Sequence, residues 1–172
     1  MIREFDVTLK GIEESDLDKV LTWRNSDHIR KYALNPEIIT YEEHKRWFDS
    51  LKSKGDRYFI IKKEDQDVGL IWAKGITDES CETGFYLHDW SVQNTLFAYR
   101  VSITLNNYLF YAKSLKYIYC DILDTNDRSI RFSLSLGYEK YDQYEKHGVY
   151  RLKSEDYKKK SSKIIKLLTK KK

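Results

Sequence analysis

Residues 57–89 hold three β-rich runs in close succession. RYFIIKK (57–63) and VGLIWAKGI (68–76) are separated only by the polar turn EDQD, and SCETGFYLHD (80–89) follows a turn at residues 77–79. Such short connections join antiparallel neighbours, because a parallel pair needs a long crossover. The β-branched and aromatic content suits strands that pack on at least one face. The middle of the chain is therefore an antiparallel block, and helices must cover it.

The flanks supply those helices. On the N-terminal side, FDVTLKGI (5–12) alternates as a first strand. Ser15 with Asp18 has the form of a capping box, ahead of Leu17, Val20, Leu21 and Trp23 at helical spacing. A short helical stretch is expected at 28–32, before the only proline, Pro36. Thr40 with Glu43 is a second capping box, and it opens a helix with His44, Trp47, Phe48 and Leu51 on one face. Gly55 stops it.

On the C-terminal side, residues 94–113 form the longest helical candidate, with Ala98, Val101, Leu105, Tyr108 and Ala112 in one stripe. LKYIYCDIL (115–123) is nearly continuous and apolar, as a buried strand is. A helix from Asn126 ends at Gly137, and YEKYDQYEKHG with VYRLK closes as a hairpin. The expected order is β–α–α–β–β–β–α–β–α–β–β, an α/β (α+β) layer fold on one central sheet.

Composition removes several function classes. Residues 154–172 carry eight lysines against Glu155 and Asp156, out of a formal net charge of +4 for 172 residues, so the body at 1–153 is slightly acidic. A general nucleic-acid binder would be basic in its body. No apolar run is long enough to span a membrane. The N-terminus has no apolar leader, so a cytoplasmic location with reduced Cys81 and Cys120 is the expectation. The four histidines show no metal-ligand spacing, so no metal is expected. The Lys-rich stretch 154–172 reads as a solvated, partly helical extension, able to touch an acidic surface.

The most specific pattern lies at residues 126–138: Asn126, Ser129-Ile130, then Leu136-Gly137-Tyr138. It matches the N-x-x-[AS]…G-[FY] segment of the GNAT acyltransferases. WRN (23–25), EEH (42–44), YFIIKKEDQDVGLI (58–71) and SCETGFY (80–86) narrow the match. Over residues 3–153 the chain resembles the sugar-modifying N-acetyltransferases of that superfamily, in particular the nucleotide-linked aminosugar enzymes of pseudaminic acid biosynthesis.

The resemblance implies a mixed, mostly antiparallel sheet with a splayed strand pair and helices on both faces. It implies acetyl-CoA as co-substrate, with its pantetheine arm lying beside Phe85, Tyr86 and Leu87 as an added strand. The pyrophosphate would sit on Gln93, Asn94, Thr95, Leu96, Phe97 and Ala98 at a helix N-terminus, with Asn126 and Ser129 nearby. A small-molecule amine would bind among Arg24, Asn25, Glu43, His44 and Trp47. From its place two residues before Gly84, Glu82 reads either as the base that deprotonates the amine or as a strand carboxylate paired with a Lys or Arg, and a homodimer is compatible. No covalent intermediate is implied.

Two positions depart from the family pattern. Leu96 stands where a glycine lets phosphate approach the backbone. Ser133 stands where a tyrosine protonates the leaving thiolate, and a serine hydroxyl is a far weaker acid. They keep open two other readings: a GNAT-fold binding or scaffold protein with weakened CoA binding, and a protein or peptide N-acetyltransferase.

Overall fold

The computed structural model describes residues 1–93 and 95–169. Its centre is an eight-stranded sheet of order β1-β2-β3-β4-β5-β6-β8-β7. The strands are β1 (Ile2–Glu4), β2 (Val7–Gly11), β3 (Arg57–Lys63), β4 (Gln66–Lys74), β5 (Ser80–Leu87), β6 (Tyr117–Leu123), β7 (Glu139–Gln143) and β8 (His147–Lys153). Every neighbouring pair is antiparallel except β5 with β6. This is the mixed, mostly antiparallel sheet expected.

The first predicted strand is in fact a hairpin, because Phe5 adopts a positive φ of 56° and turns β1 back on β2. The β3–β4 turn is tighter than EDQD: Glu64 also has positive φ, and β4 starts at Gln66.

Six helices flank the sheet: α1 (Leu17–Asn25), α2 (Asp27–Arg30), α3 (Tyr41–Lys54), α4 (Phe97–Asn107), α5 (Asp127–Leu136) and α6 (Ser154–Thr169). The capping box before α1 lies two residues earlier than expected, at Glu13 and Asp16. Asp16 is buried there, where Lys19 Nζ meets it at 2.7 Å. The box before α3 is the predicted one, with Glu43 N–H donating to Thr40 Oγ1 at 3.3 Å and Thr40 N–H to Glu43 Oε2 at 2.8 Å. Gly55 and Gly137 end α3 and α5 in left-handed geometry, which costs a residue without Cβ little. The long helix starts at Phe97 rather than residue 94, and its last turn, Tyr108–Ala112, is a wide π turn in which Lys113 N–H reaches Tyr108 O.

The sheet separates two cores. The larger lies under α4, α5 and α6 and gathers Leu9, Ile61, Val101, Leu105, Ile118 and Leu152 among others. The smaller lies under α1 and α3 and contains Val20, Trp23, Ile60 and Leu70. Residues 154–169 are not a solvated extension. α6 follows β8 directly and drives Tyr157 fully into the larger core. The Tyr157 hydroxyl donates to Asn107 Oδ1 at 2.7 Å, and Asn107 Nδ2 donates to Glu4 at 2.8 Å, joining α6, α4 and β1. The lysines occupy the outer surface of this helix. Cys81 and Cys120 are free thiols, both pushed up to about 12 by burial. Among the described residues no helix is long and apolar enough to cross a membrane.

Candidate functional site

β5 and β6 pair through three residues only: Ser80 with Tyr117, Cys81 with Ile118 and Glu82 with Tyr119. Beyond that point β5 follows β4 to Leu87, while β6 follows β8 to Leu123. The two strands part, and a gap opens in the sheet. His88 N–H donates to Val68 O of β4 at 2.8 Å. In an antiparallel pair such bonds fall on alternate residues. Gly84 and Tyr86 therefore turn their main chain toward β4, and Phe85 and Leu87 turn theirs into the gap.

Of the expected Phe85–Leu87 segment, Phe85 is open to an added strand. Leu87 O accepts from Gln93 Nε2 at 3.0 Å, so Gln93 braces the strand end. Tyr86 contributes its side chain to the opposite face instead.

On the α4–α5 side the gap is walled by aromatics. Phe85 meets Phe132 edge-on at 5.8 Å, Tyr99 packs on Phe132 at 4.7 Å, and the Tyr99 hydroxyl lies 2.9 Å from Ser135 Oγ. The loop into α4 is held by Thr95, whose Oγ1 accepts from Phe97 N–H at 3.2 Å and donates to Val92 O at 2.7 Å. Leu96 is 52% exposed and lines the cavity at its rim, while Phe97 is only 4% exposed and fills the core. Neither plugs the gap. Ala98 follows in the first turn of α4, half-buried, and Asn94 lies outside the described residues. Arg100 of α4 is tied to Asp6 at 2.8 Å.

Asn126 caps α5, with Oδ1 accepting from Ser129 N–H at 3.1 Å. Ser133 is buried, its Oγ 3.9 Å from Cys120 Sγ. Tyr138 is buried nearby, its phenol pushed well above the usual range by desolvation and by Cys120, against hydrogen bonding from Thr83.

On the α1–α3 side the gap opens into an aromatic chamber. His44 stacks on Trp47 at 4.8 Å, Trp47 meets Tyr58 edge-on at 4.9 Å, Tyr58 stacks on Trp72 at 5.9 Å, and Trp72 faces Tyr86 at 6.4 Å. Gly84 makes this row fit, since a Cβ there would stand 2.3 Å from the Trp72 ring. Among the polar groups that end in the chamber buried and without a protein partner are Arg24 Nη1, His44 Nε2, Trp72 Nε1 and the Tyr86 hydroxyl. Burial pushes the Tyr86 phenol up, with the Arg24 guanidinium opposing, and lowers the His44 imidazole.

Not every expected acceptor residue is free. Asn25 exchanges two hydrogen bonds with the Ile39 main chain, Nδ2 to O at 2.8 Å and N–H to Oδ1 at 2.9 Å, and so staples the loop. Glu43 is consumed by the Thr40 cap. Glu82 lies 2.8 Å from Lys74 Nζ, the bland arrangement for a strand carboxylate. His88, just past the end of β5, is half-buried. It stacks on Trp23 at 5.3 Å, and His28 in turn packs on the exposed Trp90 at 4.9 Å.

Both sides belong to one cavity of about 1360 Å³ that runs through the gap. Tyr58 and Lys74 were not expected here, and Tyr86, expected beside the cofactor, turns its side chain into this chamber. The signal was the alternation of β4 and β5, which places Trp72, Lys74, Glu82, Gly84 and Tyr86 on one face. Among the described residues no three His, Cys, Asp or Glu side chains gather into a metal site.

The fold is shared with known proteins. The acetyltransferase (GNAT) domain family matches residues 9–156. The acetyltransferase PseH of Campylobacter jejuni subsp. jejuni serotype O:23/36 (strain 81-176) is 30% identical over 84 residues, 46% of this chain and 53% of PseH. The chain thus spans about half the length of the curated relatives it matches. The structure of C. jejuni PseH in complex with acetyl coenzyme A superposes with a TM-score of 0.67 at 19% identity, covering 86% of this chain and 98% of that one. Apo FdhC, described as a nucleotide-linked sugar GNAT, superposes with a TM-score of 0.79 at 19% identity and 95% coverage of each chain. With the family match running from β2 into the start of α6, the chain belongs to the GNAT acetyltransferases.

Proposed function

We propose that this chain transfers the acetyl group of acetyl-CoA to a primary amine on a nucleotide-linked sugar. The observation that carries the reading is the single cavity through the β5–β6 gap, with open main chain on one side and an aromatic chamber with unpartnered donors on the other. Phe85 would pair with the pantetheine arm, and the α4 N-terminus with Thr95 and Leu96 would face the pyrophosphate. Leu96, half exposed at the cavity rim, would leave the main chain beside it within reach of a phosphate. A main-chain N–H of β5 would polarise the thioester carbonyl.

The chamber favours an acceptor with both a flat apolar part and an anionic part. Trp47, Tyr58 and Trp72 offer ring faces for a base or sugar. Arg24 and His44 offer donors for a phosphate, and a buried guanidinium gains most from a charged, bidentate partner. The likeness to PseH and to a nucleotide-linked sugar GNAT supports the same acceptor class.

Calorimetry with acetyl-CoA, then CoA release with UDP-glucosamine, glucosamine and a peptide with a free α-amine, tests the reading. Turnover favouring the nucleotide-linked amine is expected. Preference for the peptide would move the chain to the protein-acetylating group. Leu96 and Ser133 favour a second reading, a binding protein without turnover. Acetyl-CoA binding with no acetylation of any amine would establish it.

A further inference from the structure

Three charged residues line the place where the chamber meets a second, outer cavity of about 440 Å³: Lys74, Glu82 and Asp121. Lys74 and Glu82 are 2.8 Å apart and neutralise each other. Asp121 forms no ion pair and no side-chain hydrogen bond among the described residues. It is half-buried, so its carboxylate is neither sealed in the core nor out in bulk water.

Its register gives that carboxylate a purpose. Glu82 and Tyr119 are the last β5–β6 pair, and Asp121 lies two residues further along β6, about 7 Å into the gap at strand spacing. Ile118 and Ile122 face the larger core, so Asp121, between them, faces the chamber. Across the gap the matching residue on β5 is Gly84, which carries no side chain. Asp121 is thus the first free anion beside the opening through which a thioester would meet an amine.

We propose that Asp121 receives the acceptor's ammonium group at the gap and takes its proton. This rests on the transferase reading above. The ammonium nitrogen gives one proton to the Asp121 carboxylate. The freed nitrogen pair attacks the thioester carbonyl carbon and the C–N bond forms. As the C–S bond breaks, its electron pair leaves on sulfur, and the second N–H proton passes to that thiolate. The products are the amide and CoA thiol, and Asp121 returns its proton to water. Net release is one proton per turnover. The Glu82 role expected from the sequence passes to Asp121, because Glu82 is engaged by Lys74. Facing Asp121 besides that pair are Tyr119 on β6 and Tyr144 and His147 of the closing hairpin.

The test is the pH profile of CoA release with acetyl-CoA and UDP-glucosamine, glucosamine or the peptide amine. Asp121→Asn is expected to lower kcat/KM at pH 7 by about 10²–10⁴-fold and to recover as the pH rises toward the amine's own ionisation. Glu82→Gln is expected to keep the shape of the wild-type profile, whatever it does to KM. An Asp121→Asn rate within about threefold of wild type, or a profile lowered in parallel at every pH, overturns the proposal. So does a changed profile in His147→Gln with none in Asp121→Asn. Unchanged acetyl-CoA affinity by calorimetry shows that the variant is folded, and Asp121→Ser, judged by the same criteria, replaces a variant that is not. Wild type inert with all three amines removes the transferase reading and the role of Asp121 with it. Active wild type with an unaffected Asp121→Asn removes the role of Asp121 alone.

Discussion

The two sides of the β5–β6 gap are built on opposite principles. Toward α4 and α5, most polar groups at the site are engaged, Asn106 Nδ2 being a buried exception: Asn126 in its helix cap, Gln93 on Leu87 O, Thr95 between Val92 and Phe97, Arg100 with Asp6. What that side offers is main chain, held rigid by its neighbours. Toward α1 and α3, Arg24 Nη1, His44 Nε2 and the Tyr86 hydroxyl are buried with nothing to bind. Leaving a buried donor unmade costs about 1–3 kcal/mol, more for a charged group. Such groups persist where a ligand completes them. One side presents preformed main chain, and the other presents a set of unmet polar contacts.

The harshest way to break the first side is at Gly69. A Cβ there would stand 2.1 Å from Tyr86 O, a main-chain atom that cannot swing aside. Gly69→Ala is expected to push β5 off β4, cost about 3 kcal/mol and abolish acetyl-CoA binding. Denaturant unfolding and calorimetry read both. A stable variant with normal affinity would mean that β5 is not the strand that aligns the donor.

Arg24→Met tests the second side and has a split outcome. Acceptor affinity should fall about 10- to 100-fold, since a charge-assisted bond to the acceptor is lost. Acetyl-CoA affinity should stay unchanged. Folding stability should change little, because losing the Nη2 bond to Asn35 O is offset by removing a half-buried cation that has no ion-pair partner. A loss of stability would show that Arg24 supports the fold rather than awaiting a ligand.

A smaller effect separates capping from chemistry. Asn126→Ala should cost about 1 kcal/mol, the worth of an N-cap, by thermal unfolding. Its kcat should fall only as far as α5 frays. A fall in kcat without a fall in stability would give the Asn126 amide a direct part in the reaction.

Local features of this molecule were readable from sequence and non-local ones were not. Thr40 with Glu43, Gly55 and Gly137 act within one helical turn, so their spacing alone placed both ends of α3 and the end of α5. Glu13 with Asp16 was passed over because Glu is a weak cap beside Ser15. β1 was missed because three residues and a positive φ at Phe5 leave no periodic trace. In α6 the lysines hid a buried stripe of Tyr157, Ser161 and Leu168. The gap itself came from the family resemblance, since nothing in the β5 or β6 pattern says where their pairing stops. Asp121 was hidden for the same reason. In the run YIYCDIL it looks like a flaw in a buried strand until the strands are seen to part.

The subtlest test of the contrast uses pH. The His44 imidazole is buried under α1 and stacked on Trp47, and its ionisation lies below the ordinary value of 6.5, mainly from desolvation, with Leu17 hydrogen bonding opposing and Arg24 adding to it. The folded state therefore holds His44 neutral where the unfolded chain would bind a proton. Stability from this group is full above about pH 6.5 and declines as the pH falls through that value toward the folded ionisation. An anionic acceptor placed between Arg24 and His44 would reverse the sign locally and favour the imidazolium. Free protein should thus lose stability between pH 7 and 5, while protein saturated with UDP-glucosamine should lose less, and His44→Gln should flatten the difference. Equal pH slopes with and without the sugar nucleotide would mean that no phosphate reaches His44, and the unmet donors of the α1–α3 chamber would then belong to an acceptor without one.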